Sequence, residues 1–125
     1  VIDVLEYGDR ISAHGLNLLS APGNDLVAST ALASAGCHMV LFTTGRGTPF
    51  GTFVPTAKIS TNSNLYNRKT RWMDFNAGVL VEGKSKEEVL DEFFNFVISA
   101  CSGSYVKNEI NNYREISIFK TGVIL

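Results

Sequence analysis

The chain has 125 residues, 45% hydrophobic and 18% charged, with a formal net charge of −1, the balance of one globular domain rather than of a disordered, fibrous or membrane-spanning segment. No apolar run approaches the roughly 20 residues a membrane helix needs, and two cysteines, Cys37 and Cys101, make neither a disulfide framework nor a zinc site and fit a reducing compartment. The chain opens Val1-Ile2-Asp3, with no initiator Met or signal peptide, and reads as a piece of a longer protein.

In chain order, residues 16–21 read as a short buried strand, Pro22-Gly23-Asn24 as a turn, and the Ala-rich segment 25–35 as a helix stopped by Gly36. His38-Met39-Val40-Leu41-Phe42-Thr43 is a continuous apolar run of the kind found in a parallel strand covered on both faces. Strand, helix and strand form a β-α-β unit, whose right-handed crossover places both strands in one sheet with their C-terminal ends aligned. A glycine-rich loop, Thr43 to Gly51, leads to a weaker third strand, Ala57-Lys58-Ile59-Ser60, with the polar exit Thr61-Asn62-Ser63-Asn64. Residues 64–73 are a candidate short helix and Asn76-Ala77-Gly78 a turn. Ser85 and Glu88 form a capping box, and Val89, Leu90, Phe93, Phe94, Val97, Ile98 and Cys101 recur at helical spacing until Gly103, which predicts an amphipathic helix packed on a core. The end, Arg114 to Leu125, reads as extended structure turning at Gly122. No repeat or linker divides the chain, so 1–125 is taken as a single α/β domain with a parallel sheet.

The charges are unevenly placed. Residues 26–73 hold Arg46, Lys58, Arg68, Lys69 and Arg71 and no carboxylate side chain, a block of +5 with all twelve acids outside it. Such a segment is suited to face anions. Arg68, Lys69 and Arg71 beside Trp72 resemble a nucleic-acid patch with a stacking aromatic, but no RNP, KH or zinc-finger pattern accompanies them, and a short basic run is commonly a solvated face. No nucleic-acid or membrane partner is expected.

Three strand exits share small, hydroxyl- or amide-bearing residues: Ser20 to Asn24, Thr43 to Thr48, and Ser60 to Asn64. Parallel sheets bind ligands at the carboxyl ends of their strands, so three parallel strands would bring these loops to one rim. The helix beginning after Asn24 would aim free N–H groups there, and Arg46 would add a planar fork suited to a carboxylate. The same residues also serve ordinary turns, and Gly45 and Gly47 can reflect backbone geometry alone. Phe50 stands where a G-x-G-x-x-G fingerprint needs its third glycine, and no Walker A, G-x-S-x-G or H-E-x-x-H pattern occurs. Cys37 and His38 point to opposite faces of a strand and read as a buried thiol and a satisfied histidine, at the end opposite the rim. Asp74, the first carboxylate after the basic block, could approach the site from a loop or cap a turn.

The runs Leu18-Leu19-Ser20-Ala21-Pro22-Gly23-Asn24-Asp25, Gly36-Cys37-His38-Met39-Val40-Leu41-Phe42-Thr43-Thr44-Gly45-Arg46-Gly47-Thr48-Pro49-Phe50-Gly51, Lys58-Ile59-Ser60-Thr61-Asn62-Ser63 and Arg114-Glu115-Ile116-Ser117-Ile118-Phe119-Lys120 resemble, in order, the C-terminal part of the galactarate and altronate dehydratase family, closer to its galactarate branch. The resemblance implies a Rossmann-like fragment of a larger domain. It implies a bacterial, cytoplasmic, homodimeric hydro-lyase of carbohydrate catabolism that removes water from a six-carbon sugar acid, a galactarate-like dicarboxylate, to give a keto-deoxy acid. It also implies a divalent metal, usually Fe2+, with relatives that act as sulfo-lyases.

Such a reaction needs a base for the proton beside the carboxylate and an electrophile for the enediolate and leaving hydroxyl. On this reading Arg46 and Thr44 belong to the catalytic site. Arg46 pairs with a substrate carboxylate, N–H groups of Gly45, Gly47 and Asn24 assist, Thr43, Thr44, Ser20 and Asn62 bind hydroxyls, and Gly23 belongs to the same substrate-binding set. The metal ligands and the base are expected outside this chain, because the basic segment offers no carboxylate. The rival reading is a non-catalytic anion-binding or assembly module.

Overall fold

The computed structural model describes residues 1–118, and the predicted extension over Phe119 to Leu125 lies outside them. Among the described residues ten elements follow one another, and every strand pairing is parallel. β1 (Asp3–Leu5) pairs with β2 (Asn17–Leu19) in a two-stranded sheet, with Asp3 opposite Asn17. α1 (Asp25–Ala35) begins where Asn24 Oδ1 accepts the N–H of Val27 at 3.2 Å. It ends at Gly36, whose φ of +118° is the left-handed conformation that closes helices. Its buried face is mostly small, Ser29, Ala31, Ala33 and Ala35 beside Val27 and Thr30, so the helix backbone lies close to its neighbours.

The main sheet has the order β3-β4-β5, from β3 (Val40–Thr44), β4 (Thr56–Ser60) and β5 (Phe75–Asn76). Phe42 stands opposite Lys58, Thr44 opposite Ser60, and Ile59 opposite Phe75. α2 (Ser63–Arg68) follows β4, and a 3-10 helix (Ala77–Glu82) follows β5. α3 (Lys86–Cys101), with Ser85 as its cap, lies against the face of the sheet that carries Ala57 and Phe75. The Phe75 and Phe93 rings meet edge-on at 5.1 Å. α4 (Lys107–Ile110) packs on β4, where Asn108 Oδ1 accepts the N–H of Thr56 at 2.9 Å.

The α/β class, the parallel strands and the bounds of α1 agree with the sequence. Four expectations do not. The strand at 16–21 does not share a sheet with 38–43; it is shorter, pairs with β1 and leaves Leu16 and Leu18 exposed. The supposedly weak third strand is the most enclosed, buried at all five positions, because it is central and covered on both faces. Asn76 is no turn residue, since it closes β5 and caps the 3-10 helix by accepting the N–H of Gly78 at 3.0 Å. α3 has the predicted bounds, yet only Val89 and Ala100 are buried in it, and Leu90, Phe94 and Ile98 form an exposed stripe. Residues 114–118 are irregular, tied to Gly51 through both the N–H and the carboxylate of Glu115.

Candidate functional site

Because β3 and β4 are parallel, their C-terminal ends lie side by side, and the two loops that leave them are joined by hydrogen bonds. Thr61 donates its N–H to Thr44 O at 3.0 Å, and Asn62 donates Nδ2–H to Gly45 O at 3.1 Å. Thr44 Oγ1 accepts the N–H of Gly47 at 3.0 Å, which curls the loop into a tight turn. Gly47 sits at φ +80°, where a side chain is strained and would press on Leu65. Asn62 also starts α2, its Oδ1 accepting the N–H of Leu65 at 2.8 Å. Gly78 of the 3-10 helix lies so close beneath that any Cβ would collide with the backbone of Asn62 and Ser63.

Together these loops wall a cleft of about 270 Å³ lined by Gly45, Arg46, Asn62, Asn64, Leu65, Arg68 and Lys69. Its polar groups are two cationic guanidinium groups, an ammonium and two amides, with no carboxylate. Among the described residues the ion pair present joins Lys84 and Glu92, so none of the three cleft cations is neutralised by a salt bridge. Such a cleft favours an oxygen-rich anion. A second hollow of about 410 Å³, lined by Arg68, Lys69, Thr70, Arg71, Trp72 and Tyr113, shares two residues with it, and Lys69 Nζ lies 4.2 Å from the centre of the Trp72 ring.

Beneath the glycine-rich loop lies Lys58, 1% exposed. Its ammonium donates to Thr48 O at 2.8 Å and to Phe50 O, and the Phe50 ring centre is 4.3 Å away. Burial pushes its pKa down to about 8 from the ordinary 10.5, against the opposing pull of Asp74, Glu115 and Asp25. Asp74 accepts the N–H of Lys58 and that of Lys107, each at 2.7 Å. Burial holds its carboxyl above the usual range, with those two hydrogen bonds working the other way. Of the two readings of Asp74, the structure gives the capping one, since it closes the start of α4 instead of entering the cleft.

The structure thus brings together Thr44, Gly45, Arg46, Gly47 and Asn62. It does not bring Thr43, which alternates to the other face and lines an apolar hollow of about 290 Å³ with Ile59, Phe75 and Phe93. Ser20, Gly23 and Asn24 follow β2 in the other sheet, so the expected meeting of three strand exits becomes a meeting of two. The N–H of Gly47 and the Oδ1 of Asn62 and of Asn24 are engaged within the fold. Asn64, Arg68, Lys69 and Lys58, which the sequence shows in a polar strand exit and a basic block, were not among the expected site residues, and neither was Gly78. The first three had a signal, because Asn64 and Arg68 are four apart, as are Leu65 and Lys69, and such pairs share one face of a helix. His38 is exposed and Cys37 half-buried, not the satisfied histidine and buried thiol expected; His38 does lie at the opposite end, in a hollow with Met39, Pro55, Ala100 and Cys101.

The donor set does not fit a divalent metal. Among the described residues no three His, Cys, Asp or Glu side chains gather as ligands, and the cleft offers cations and amides. No helix among them is long and apolar enough to cross a membrane.

The profile of the family D-galactarate/altronate dehydratase, C-terminal, matches residues 1–124. The chain is 58% identical, along its whole length, to an altronate dehydratase of Escherichia coli (strain K12) and 60% identical to one of Bacillus subtilis (strain 168). It is 38% identical over 105 residues, 82% of the chain, to galactarate dehydratase (L-threo-forming) of Escherichia coli (strain K12). These figures overturn the expected leaning toward the galactarate branch. The chain spans 25% of the length of each altronate dehydratase and 20% of the galactarate enzyme. The match over nearly all its residues, on a parallel α/β fold, makes the chain a member of the C-terminal domain family of the D-galactarate/altronate dehydratases.

Proposed function

We propose that this chain is the part of a sugar-acid dehydratase that receives the substrate's carboxylate, and that the substrate is altronate in preference to galactarate. The observation that carries this is the carboxylate-free cleft, where Arg46, Arg68 and Lys69 stand without ion-pair partners among the described residues, at the C-terminal edge of a parallel sheet. The preference for altronate rests on the higher identity to the altronate dehydratases.

Dehydration takes the proton from the carbon beside the carboxylate and expels the hydroxyl from the next carbon as water; the enol left behind becomes the keto-deoxy acid. As the proton leaves, negative charge moves onto the carboxylate oxygens. Arg46 and its neighbouring cations stabilise that charge from fixed positions. Thr44 and Asn62 act on the loop that carries Arg46, through the hydrogen bonds described above. The general base and the ligands of a divalent metal, iron by the family resemblance, belong to parts of the parent protein outside this chain, as does the contact that pairs full-length subunits.

In the intact enzyme, Arg46→Ala is expected to lower kcat/KM for altronate by about a hundredfold or more, and Arg46→Lys to recover only part, because the ammonium lacks the planar fork. Formation of keto-deoxy acid from altronate and galactarate, assayed with ferrous iron under anaerobic conditions, decides it. Full activity in Arg46→Ala would make the cleft scaffold and leave the anion-binding or assembly reading. Faster turnover of galactarate would overturn the substrate.

A further inference from the structure

A lysine as enclosed as Lys58 demands a reason, since a methionine would fill the same volume without stripping a charge of water. Its surroundings supply one. Phe42 and Phe50 flank the side chain, with the ammonium 5.8 Å and 4.3 Å from their ring centres, so it is held as a cation against two aromatic faces. Its directed hydrogen bonds go to Thr48 O and Phe50 O, the carbonyls on either side of Pro49. Pro49 has no N–H to give, and a segment that turns there cannot satisfy its carbonyls by joining the sheet.

The loop from Gly45 to Phe50 is therefore pinned at two points. At its start Thr44 Oγ1 holds Gly47 and Asn62 holds Gly45. At its end Lys58 holds Thr48 and Phe50, and Glu115 holds the next residue, Gly51. Arg46 lies inside the first pin, between Gly45 and Gly47 and two residues before the Thr48 carbonyl that Lys58 holds, exposed, on the wall of the cleft. From the backbone of the same residue, the N–H of Lys58 reaches Asp74, whose other oxygen holds Lys107, so the anchor is itself braced by β4 and α4.

We infer that Lys58 is a positioning residue for the cleft: its buried ammonium fixes the end of the glycine-rich loop and thereby the place of Arg46. The inference rests on the reading that Arg46 receives the substrate carboxylate. Lys58 touches no substrate in this arrangement. It acts by limiting the geometries Arg46 samples before the ligand arrives, which sets how much binding energy is lost to ordering the loop.

The test uses the full-length enzyme. Lys58→Met keeps the volume and removes the donors; Lys58→Gln keeps neutral N–H donors on a shorter arm. Hydrogen exchange is read first, and faster exchange confined to the peptides covering 45–51, with β4 still protected, is expected in both. KM for altronate is then expected to rise about tenfold in Lys58→Met and less in Lys58→Gln, with kcat changed under about threefold. On an Arg46→Ala background, Lys58→Met is expected to change kcat/KM less than twofold, because the loop no longer has a ligand to place. If Lys58→Met acts equally with and without Arg46, if KM is unmoved, or if both variants lose protection throughout the domain, the inference is overturned while the reading of the cleft stands. If Arg46→Ala alone leaves kcat/KM unchanged, the reading of the cleft fails and the inference falls with it.

Discussion

Lys58 and Asp74 show what a single side chain can hide from a sequence. A lysine in the middle of a short run makes a strand look half-solvated, yet this one is 1% exposed, because its partners are carbonyl oxygens that every residue carries and no residue type announces. Its titration gives a directional expectation. The folded state holds the pKa near 8, against 10.5 when the chain is open to water. Between those values the unfolded chain binds the extra proton, so stability rises with pH across that window and the rise is complete above 10.5. Below pH 8 both states are charged and the full penalty is present. The change amounts to about 3 kcal/mol at most. Urea unfolding followed by circular dichroism at pH 7 and pH 10 is expected to show the rise in the wild-type chain and none in Lys58→Met. A wild-type profile flat from pH 8 to 10.5 would contradict the depressed pKa.

Elements were legible where their signals are local. Asn24 and Gly36 fix α1 at both ends, and Ser85 with Glu88 fixes the start of α3, so their bounds were read correctly. β2 failed for the opposite reason: its partner is the three-residue stretch Asp3-Val4-Leu5, and a short apolar run does not say which sheet it joins. β5 is two residues long and gave no period to read. The cleft depends on such a junction, where the 3-10 helix bears on the start of α2 through Gly78. Gly78→Ala is expected to destabilise the domain by about 2 kcal/mol, since the atoms its Cβ would strike are backbone and cannot rotate away. It is also expected to raise KM by displacing Asn62. The first is measured by exchange of the α2 amides and the second by steady-state kinetics; a neutral outcome in both would mean the contact yields freely.

In the molecule as a whole, residues far apart in sequence make one surface. Arg46 and Asn62 come from neighbouring strand exits, while Arg68 and Lys69 lie at the end of α2, and the two basic hollows meet along that end. The charge pattern pointed to a cationic surface; it could not tell which cations meet, since that depends on strand order. The absence of acids from 26–73 has a kinetic meaning as well. Unpartnered positive charge extends its field into solvent for about a Debye length, roughly 10 Å at 0.1 M salt, and draws anions in from that distance. Lys69 lies against Trp72, the chain's one tryptophan, so arrivals are visible optically. Stopped-flow emission from Trp72 on mixing with altronate is expected to show an association rate that falls as salt is raised, with the dissociation rate little changed. The same cations that hold the ligand would then also set how often it arrives.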